Sequence, residues 1–459
     1  PCPICSRRPN MDIHYFHVDR RCSHAPQCGS ICGESPALVT LTTLSPQERA
    51  VLQKRTLNTL MVGQIIGAAA LASAVTVGAY VVQDILGDTT PWGGIATATA
   101  TMGTAVMAQV LSRIMMRRGR RPGLQLGYAL ASIGAILAAV GAQHRSLALF
   151  MVGLFLFGNG QASNLLARYA ATDLAEPHNR ASSMSRIVFA STFGAVFGPL
   201  LISPAQIAGQ DWFGWTKYTG PWVFSSIVLF GAFLNTTIRL RPDPLVIAGG
   251  ISPKSTVKLP SIKEALTTVV ATQKGRLALA SMVISQVTMV AVMTMTPVHM
   301  KLHGHESLSQ FVVSLHVAGM FAFSPLVGRY ADKKGTHHAV LAGAWILVLA
   351  TVMSALSGES SLILFPALWF LGIGWNFGLI GGSAMLLESV PDDKRVTVQG
   401  SADLMMSFCG GLAGLSSGFI RKAFGYHLLS ASAALAAGVL LVWAFYAFRR
   451  MQMQSSVAG

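Results

Sequence analysis

Long stretches without a charged residue restrict the fold of this chain more than any other feature. With Asp, Glu, Lys and Arg taken as boundaries, twelve such runs follow one another, and eleven of them hold 20 residues or more. A helix needs about 20 apolar residues to cross a hydrocarbon core about 30 Å thick. The runs are 56–83, 89–112, 122–144, 146–167, 187–210, 218–238, 277–300, 307–328, 335–358, 360–387, 404–420 and 423–448.

These runs are apolar on every face, which distinguishes them from other long helices and from strands. The helices of a soluble core are shorter and amphipathic, and the strands of a membrane barrel alternate between apolar and polar residues. The chain is therefore predicted to be an all-α polytopic membrane protein with twelve transmembrane helices.

Positive charge is unevenly divided between the two sides of the predicted membrane. With the amino terminus placed inside, the inner segments after residue 33 hold 25 Lys and Arg and the outer segments hold 5. The positive-inside rule then places both termini in the cytoplasm of a cell whose cytoplasmic membrane the protein spans. The net charge of +16 reports this topology and does not indicate a nucleic-acid partner.

The first 45 residues have a different composition and contain five of the six cysteines: Cys2, Cys5, Cys22, Cys28 and Cys32. A zinc site needs a second pair of ligands at regular spacing, and the single C-x2-C motif has none. We therefore expect a disordered tail, or translated sequence upstream of the true start, and no metal or cofactor.

Two charged motifs occur twice with nearly the same offset. The segment 112–124, SRIMMRRGRRPGL, returns as GRYADKKGTHHAV at 328–340, and Asp173 with Arg180 returns as Glu388 with Arg395. The offsets are 216 and 215 residues, so the chain is predicted to be a duplicated six-helix unit. The predicted units are 46–240 and 275–459, joined by a cytoplasmic linker at 241–274.

The repeated segment resembles the loop signature of the major facilitator superfamily of secondary transporters, G-x-x-x-D-R/K-x-G-R/K-R/K. In the first copy, Ser112 and Met116 stand where the signature has its glycine and its aspartate. The resemblance implies the major facilitator fold, two six-helix bundles and a monomer that moves a small molecule by alternating access. The matching positions are Arg117, Gly119, Arg120 and Arg121 in the first half and Gly328, Asp332, Lys333 and Gly335 in the second.

The signature and the acidic-x6-Arg pairs together predict a cytoplasmic gate. Asp332 is suited to hold a helix amino terminus or an arginine, and with Glu388 and Arg395 it is predicted to form a network that breaks as the halves rock. The alternative is a set of solvated loop charges, which we favour for Lys333 and Lys334. The predicted gate residues are Arg117, Gly119, Arg120, Asp173, Arg180, Gly328, Asp332, Lys333, Gly335, Glu388 and Arg395.

The fifth run resembles the helix signature of drug:proton antiporters in this superfamily through Gly194, Gly198 and Pro199. The match is partial because Leu201 and Ile202 follow where a glycine pair is usual. The alternative is that glycines at a spacing of four only allow close helix packing.

Uncharged polar residues within the spans are candidates for the lining of a substrate cavity. The arginine usual in the fourth helix of the family has no match at its expected place, and Asn159, Gln161 and Asn164 supply polarity there, with Arg168 near the inner end. Such groups suit a neutral or amphipathic solute, although hydrogen bonding between helices explains them equally well. Trp375 and Asn376 in the tenth run are candidates on the same reasoning.

Two residues are candidates for carrying a proton. The run 404–420 has only 17 residues, so a full span draws Asp403 into the membrane, and His316 lies inside the eighth run. Burial of a carboxylate shifts its pKa upward toward neutral pH, and a histidine already titrates in that range. An ion pair between Asp403 and Arg186 would oppose that role for Asp403. Asp84, at the outer end of the first run, is either an extracellular gate or a solvated helix end.

Together these observations predict a secondary active transporter that exports a small, amphipathic or neutral solute in exchange for protons. Proton-coupled uptake of a metabolite and a non-transporting sensor of the same fold are the alternatives. A membrane enzyme would need a cluster of acidic, histidine or metal-binding residues near one membrane face, and the spans contain none.

Overall fold

A computed structural model describes residues 44–86, 95–250, 261–303, 306–358 and 360–457. The Cys-rich tail, with the zinc ligands weighed above, lies outside the described residues. Residues 251–260 of the predicted linker lie outside them as well.

The first predicted half consists of seven helices among these residues. Helix α3 packs against α4 and α7, and α1 packs against α5 and α7. A glycine with a positive φ of 98°, Gly119, separates α2 from α3 and permits the tight reversal between them. The helices are α1 Pro46–Leu86, α2 Ile95–Arg118, α3 Arg120–Gln143, α4 Leu147–Ala170, α5 Arg180–Leu200, α6 Ile202–Phe213 and α7 Thr219–Arg239.

The linker and the second predicted half supply eight more helices in the described part of the chain. Gly335, with φ of 95°, separates α12 from α13 as Gly119 separates α2 from α3. Gly425, with φ of 82°, divides α15 into two helices. The helices are α8 Pro244–Ile247, α9 Ile262–Ala271, α10 Gln273–Leu302, α11 Glu306–Phe321, α12 Ser324–Lys334, α13 Thr336–Ala355, α14 Ser361–Ser389 and α15 Arg395–Val457.

Membrane-spanning length and apolar composition occur together in nine helices of the described residues, or in ten if one bent pair counts as a single span. The longest, Asp392–Arg449, has 58 residues and contains the break at Gly425. The all-α polytopic membrane fold is confirmed, and the count of twelve spans stays a prediction.

The fifth predicted run is divided in the structure. Its residues 187–210 fall into α5 and α6, whose axes differ by 41° across Leu201. Pro199 in the last turn of α5 and Pro204 in the first turn of α6 each remove a backbone hydrogen-bond donor, which explains a bend there. Because α5 alone has 21 residues, about 31 Å at 1.5 Å per residue, it is long enough to cross the membrane without α6.

One end of the bundle carries the linker, and we call it the linker end. Asp243 accepts hydrogen bonds there from the backbone N–H groups of Arg120, at 3.2 Å, and Arg121, at 2.7 Å. The α2–α3, α4–α5, α12–α13 and α14–α15 connections lie at this end. The two predicted halves meet where α2 and α4 contact α15 and where α5 contacts α11 and α12. The domain limits drawn from the sequence stay predictions.

Candidate functional site

A buried ion pair joins the two predicted halves. The guanidinium of Arg168 on α4 lies 2.5 Å from the carboxylate of Asp403 on α15, measured from Nη2 to Oδ1. The side chains are 1% and 0% exposed. A charge this deep is tolerated only when it is paired and hydrogen-bonded, so each residue depends on the other half for its partner.

Hydroxyl and carbonyl groups complete the surroundings of Arg168. Its Nε donates to Ser383 Oγ on α14 at 3.3 Å, its Nη1 to the Leu165 carbonyl at 2.6 Å, and its Nη2 to Tyr169 Oη at 3.2 Å. The guanidinium also lies over the Tyr169 ring, 4.4 Å from its centroid. Arginine is therefore held by fixed groups on its own helix and by two helices of the other half.

A second buried ion pair lies at the linker end. Arg120, at the start of α3, binds Asp173 with two hydrogen bonds of 2.8 and 3.0 Å and donates to Gln399 of α15 at 3.0 Å. Burial raises the pKa of Asp173 above that of an ordinary aspartate, and the neighbouring Arg120 opposes the shift. The Arg120–Gln399 bond is a further link between the halves.

Asp332 of α12 binds the amino terminus of α5, which belongs to the other half. Its two carboxylate oxygens accept hydrogen bonds from the backbone N–H of Ala181 at 3.0 Å and of Ser182 at 2.7 Å. A carboxylate at this position satisfies free N–H groups and complements the helix dipole. Gly328, one turn earlier on α12, packs so closely that a side chain there would collide with Ser185.

The equivalent contact on the opposite side of the bundle is uncharged. There the first turn of α15 faces α2, and Thr397 Oγ1 donates to the sulfur of Met116 at 3.0 Å. One turn away a side chain on Gly400 would collide with Ser112, and Ser401 donates to Gln109 at 2.9 Å. The α5–α12 seam thus holds a carboxylate on a helix terminus, whereas the α2–α15 seam holds neutral groups.

Comparison with known proteins identifies the family. The model of the Major Facilitator Superfamily matches residues 60–309 and 277–457. The chain belongs to the major facilitator superfamily. It is therefore a transporter that crosses the membrane many times, and not an enzyme.

Relatives of this major facilitator cover nearly its whole length. It is 38% identical to the MFS-type transporter YddS of Bacillus subtilis (strain 168) over 415 residues. The aligned region covers 89% of this chain and 94% of YddS. It is 25% identical over 382 residues to the riboflavin transporter RfnT of Brucella anthropi, across 83% of this chain and 92% of RfnT. The human organic anion transporter MFSD10 has the same fold, with a TM-score of 0.71 at 15% identity over 85% of this chain and 99% of MFSD10.

The sequence suggested Arg186 as an ion-pair partner of Asp403, but in this major facilitator the partner of Asp403 is Arg168. Arg186 is exposed, and Arg168 takes the pairing position. Sequence analysis missed Arg168 because every charged residue was treated as the boundary of a span, which placed it at an interface. The available signal was its position next to Asn164 and Gln161, in a stretch with uncharged residues on both sides.

The remaining gate residues do not form the predicted network with Asp332. Within the described residues Glu388 binds Lys274, at 2.5 Å, and Thr336, at 3.0 Å, and Arg395 binds Asp392 and the Leu387 carbonyl. Asp332 instead accepts two hydrogen bonds from the backbone of α5, and a joint role of these residues in gating stays a prediction. Arg117 and Lys333 are exposed, Arg180 is half-buried, and Gly335 is the turn before α13.

The polar residues predicted to line a cavity bind groups of their own half. Asn164 accepts from Tyr128 Oη at 2.9 Å, Trp375 donates to Gln286 at 2.7 Å, and Asn376 donates to Ser324 at 3.0 Å. Asn159 donates to the Leu156 carbonyl at 2.6 Å, and its Oδ1 has no partner among the described residues; Gln161 is half-buried. A role in binding solute stays a prediction for all five.

His316 is fully buried on α11, and its Nδ1 is 2.8 Å from the Leu368 carbonyl. Its Nε2 has no hydrogen bond within the described residues. Asp84 is exposed, 3.8 Å from Arg145 Nη2, at the end of the bundle opposite the linker. Its role as an outer gate stays a prediction.

The glycines of the α5 signature, Gly194 and Gly198, lie against the backbone of α1 at Ile65 and Ala69, where a side chain would collide. Pro199 follows them in the last turn of α5. This geometry favours the packing interpretation of the signature.

Proposed function

We propose that this major facilitator is a secondary active transporter that exports a small, amphipathic or neutral solute across the cytoplasmic membrane in exchange for protons. The observation that carries the proposal is the Arg168–Asp403 pair. A buried ion pair contributes little net stability, because the desolvation cost offsets the attraction, so its position between two moving halves favours a role in switching. The chain acts as a monomer, since each half finds its partner within the same chain.

The pair assigns Asp403 a different state in each conformation. While the halves meet at the linker end, Arg168 neutralises the carboxylate and no proton is needed. When the halves separate there, α4 and α15 part, and Asp403 loses its counter-charge and becomes able to accept a proton from the cytoplasmic side or release one to it. Asp403 is thus the first candidate for coupling, and His316 is the second.

The substrate class is argued from the uncharged lining and from one relative. Asn159, Gln161 and Asn164 offer hydrogen bonds without charge, which suits a neutral or amphipathic solute. The riboflavin transporter RfnT is a relative at 25% identity, so transport of a solute like riboflavin is the second candidate function.

Transport by inside-out vesicles tests the proposal. A pH gradient, acidic inside, is imposed on inside-out vesicles that contain the protein. Accumulation of a panel of amphipathic dyes and of riboflavin in the vesicles is then followed over time. Export predicts accumulation that collapses when the gradient is dissipated. Accumulation only in right-side-out vesicles would instead establish uptake. Equal accumulation with and without the gradient would exclude the proton as the coupling ion.

A further inference from the structure

A groove opens between α2 and α15 in the part of their seam that is far from the linker end. It has a volume of about 210 Å³, and its lining includes Thr101, Met102, Ser407, Phe408 and Leu415, none of them charged. At 1.5 Å per residue, Met102 is about 24 Å along α2 from Arg118, and Ser407 about 18 Å along α15 from Arg395. By the predicted topology, the groove faces the outer half of the bilayer.

The two walls of the groove belong to different halves of the transporter. The same two helices are tied at the linker end by the Ser401–Gln109 and Thr397–Met116 hydrogen bonds. Any rocking of one half against the other therefore changes the width of the groove. A molecule bound in the groove is therefore affected by each conformational change of the transporter, whereas a molecule on an ordinary lipid-facing surface is not.

The seam that contains the groove has the weaker helix-terminus contact of the two. On the α5–α12 seam, Asp332 makes two charge-assisted hydrogen bonds to a helix terminus. On the α2–α15 seam, Met116 occupies the corresponding position. Charge-assisted bonds are roughly twice as strong as neutral ones. The helix-terminus contact on the α2–α15 seam is therefore the weaker of the two, while α15 is also tied to the first half by the Arg168–Asp403 and Arg120–Gln399 bonds.

The size and openness of the groove select what fits it. Pockets that hold a whole drug-sized ligand measure about 300–1,000 Å³, so a groove of 210 Å³ holds only part of one. Met102, Phe408 and Leu415 are 37%, 38% and 45% exposed, which opens the groove to the bilayer. From Ser407 to Leu415 it extends about 12 Å, less than a leaflet of about 15 Å, so a group shorter than a phospholipid chain fits best.

We propose that this groove is a lateral portal, in which the hydrocarbon part of an amphipathic solute is held as the solute passes between the outer leaflet and the space between the halves. The proposal rests on the proposed function for the transport itself and for the amphipathic class. It adds the entry route and the residues that recognise the apolar part of the solute.

Fluorescence quenching by 10-bromodecan-1-ol tests the portal in the full chain, reconstituted in phosphatidylcholine nanodiscs. Phe408→Trp places a reporter in the groove, and Leu349→Trp, on the exposed face of α13, is the matched lipid-facing control. The signal of the native tryptophans is subtracted with the wild-type protein. We expect saturable quenching at position 408 and quenching proportional to the partitioned bromodecanol at position 349. Ala98→Phe in the Phe408→Trp background fills the groove and is expected to remove the saturable component.

Phosphatidylcholine brominated on its acyl chain identifies the occupant. It is expected to quench the tryptophan at 349 at least twofold more than the one at 408. Equal, proportional quenching at both positions by both probes would make the groove ordinary lipid-facing surface and overturn the proposal. This readout decides the question even if Ala98→Phe does not fold.

The groove and the proposed function fail in different ways. Saturable quenching at 408 without any proton-driven transport would support the groove and remove the proton-coupled function. Proton-driven transport of the dye panel with equal quenching at 408 and 349 would keep the function and remove the portal.

Discussion

Arg168 and Asp403 are each other's counter-charge in the buried site, and this gives both residues large and coupled effects. Removing one partner of a buried pair leaves the other charge unpaired, whereas removing both leaves two neutral groups. Ser383 and Tyr169 can still accept from an uncharged donor at position 168. The two residues are thus expected to behave as one unit.

Arg168→Gln and Asp403→Asn are each expected to lower the free energy of unfolding by about 3–5 kcal/mol, because each leaves an unpaired buried charge. The double variant is expected to cost far less than the two losses added together. Thermal unfolding of the purified proteins measures this, with Lys333→Gln, an exposed residue, as the control. Additive losses would contradict the pairing.

Asp403→Asn is also expected to abolish transport driven by a proton gradient while exchange of substrate for substrate survives, because an amide cannot release a proton. The measurement is gradient-driven accumulation in inside-out vesicles at matched expression. Asp393→Asn, an exposed neighbour in the preceding loop, is the control and is expected to transport normally. Proton-coupled accumulation by Asp403→Asn would exclude Asp403 as carrier and move the search to His316.

At the level of helices, the two ends that cross between the halves are held in unequal ways. The amino terminus of α5 is held by the carboxylate of Asp332, and the amino terminus of α15 faces the thioether of Met116. A carboxylate at a helix amino terminus contributes about 0.3–1 kcal/mol when exposed and up to about 2 kcal/mol when partly buried. Such energies are large enough to bias a transporter between its conformations.

Asp332→Asn is expected to reduce transport at least fivefold, whereas Lys334→Gln leaves it nearly unchanged. The carboxylate holds two backbone N–H groups, and Lys334 is exposed. Initial rates at matched expression measure the difference. Equal, mild effects of both substitutions would leave the solvated-loop interpretation in place.

Met116→Asp is expected to slow transport about two- to tenfold, because a carboxylate facing the first turn of α15 stabilises contact at the linker end. Met116→Asn, which has nearly the same shape as the aspartate without its charge, is the control and is expected to transport faster than Met116→Asp. Accessibility of a cysteine at Ser182 to a soluble maleimide, measured from the linker side, reports how often that end opens. A rise in accessibility in Met116→Asp would contradict the expectation.

Helix existence was predictable from sequence, whereas helix partners were not. Charge-free runs locate apolar helices because the bilayer excludes charge, and the repeated motifs place Gly119 and Gly335 at equivalent turns. The same rule misplaced Arg168. Its neutralising partner, Asp403, is distant in sequence, so the sequence alone assigned the arginine to the end of a span at the membrane interface. The bend between α5 and α6 was missed for a related reason, because its two prolines do not interrupt an apolar run.

At the level of the whole molecule, the linker and the ties between the halves meet at one end. Asp243 binds the amino terminus of α3 beside Arg120, which itself reaches Gln399 of the other half. The orientation of this end follows from the charge count of 25 against 5 and is a prediction of its own.

A cysteine placed at Ser255, in the linker, is expected to resist an impermeant maleimide added to intact cells and to react after the membrane is opened. The excess of Lys and Arg on the linker side is the reason. A cysteine at Gln210, on the exposed face of α6 at the opposite end, is the control and is expected to react in intact cells. Labelling of position 255 from outside would invert the topology.

The two serine–glycine contacts described above have the same arrangement: Ser185 of the first half meets Gly328 on one seam, and Ser112 of the first half meets Gly400 on the other. The first half therefore supplies both serines and the second half supplies both glycines, so each half is shaped to fit the other half and not a copy of itself. Two copies of the first half, assembled as a pair of identical subunits, would press Ser112 against Ser185 on both sides. The symmetry of the predicted duplication is therefore broken at these contacts, and neither half can take the place of the other there.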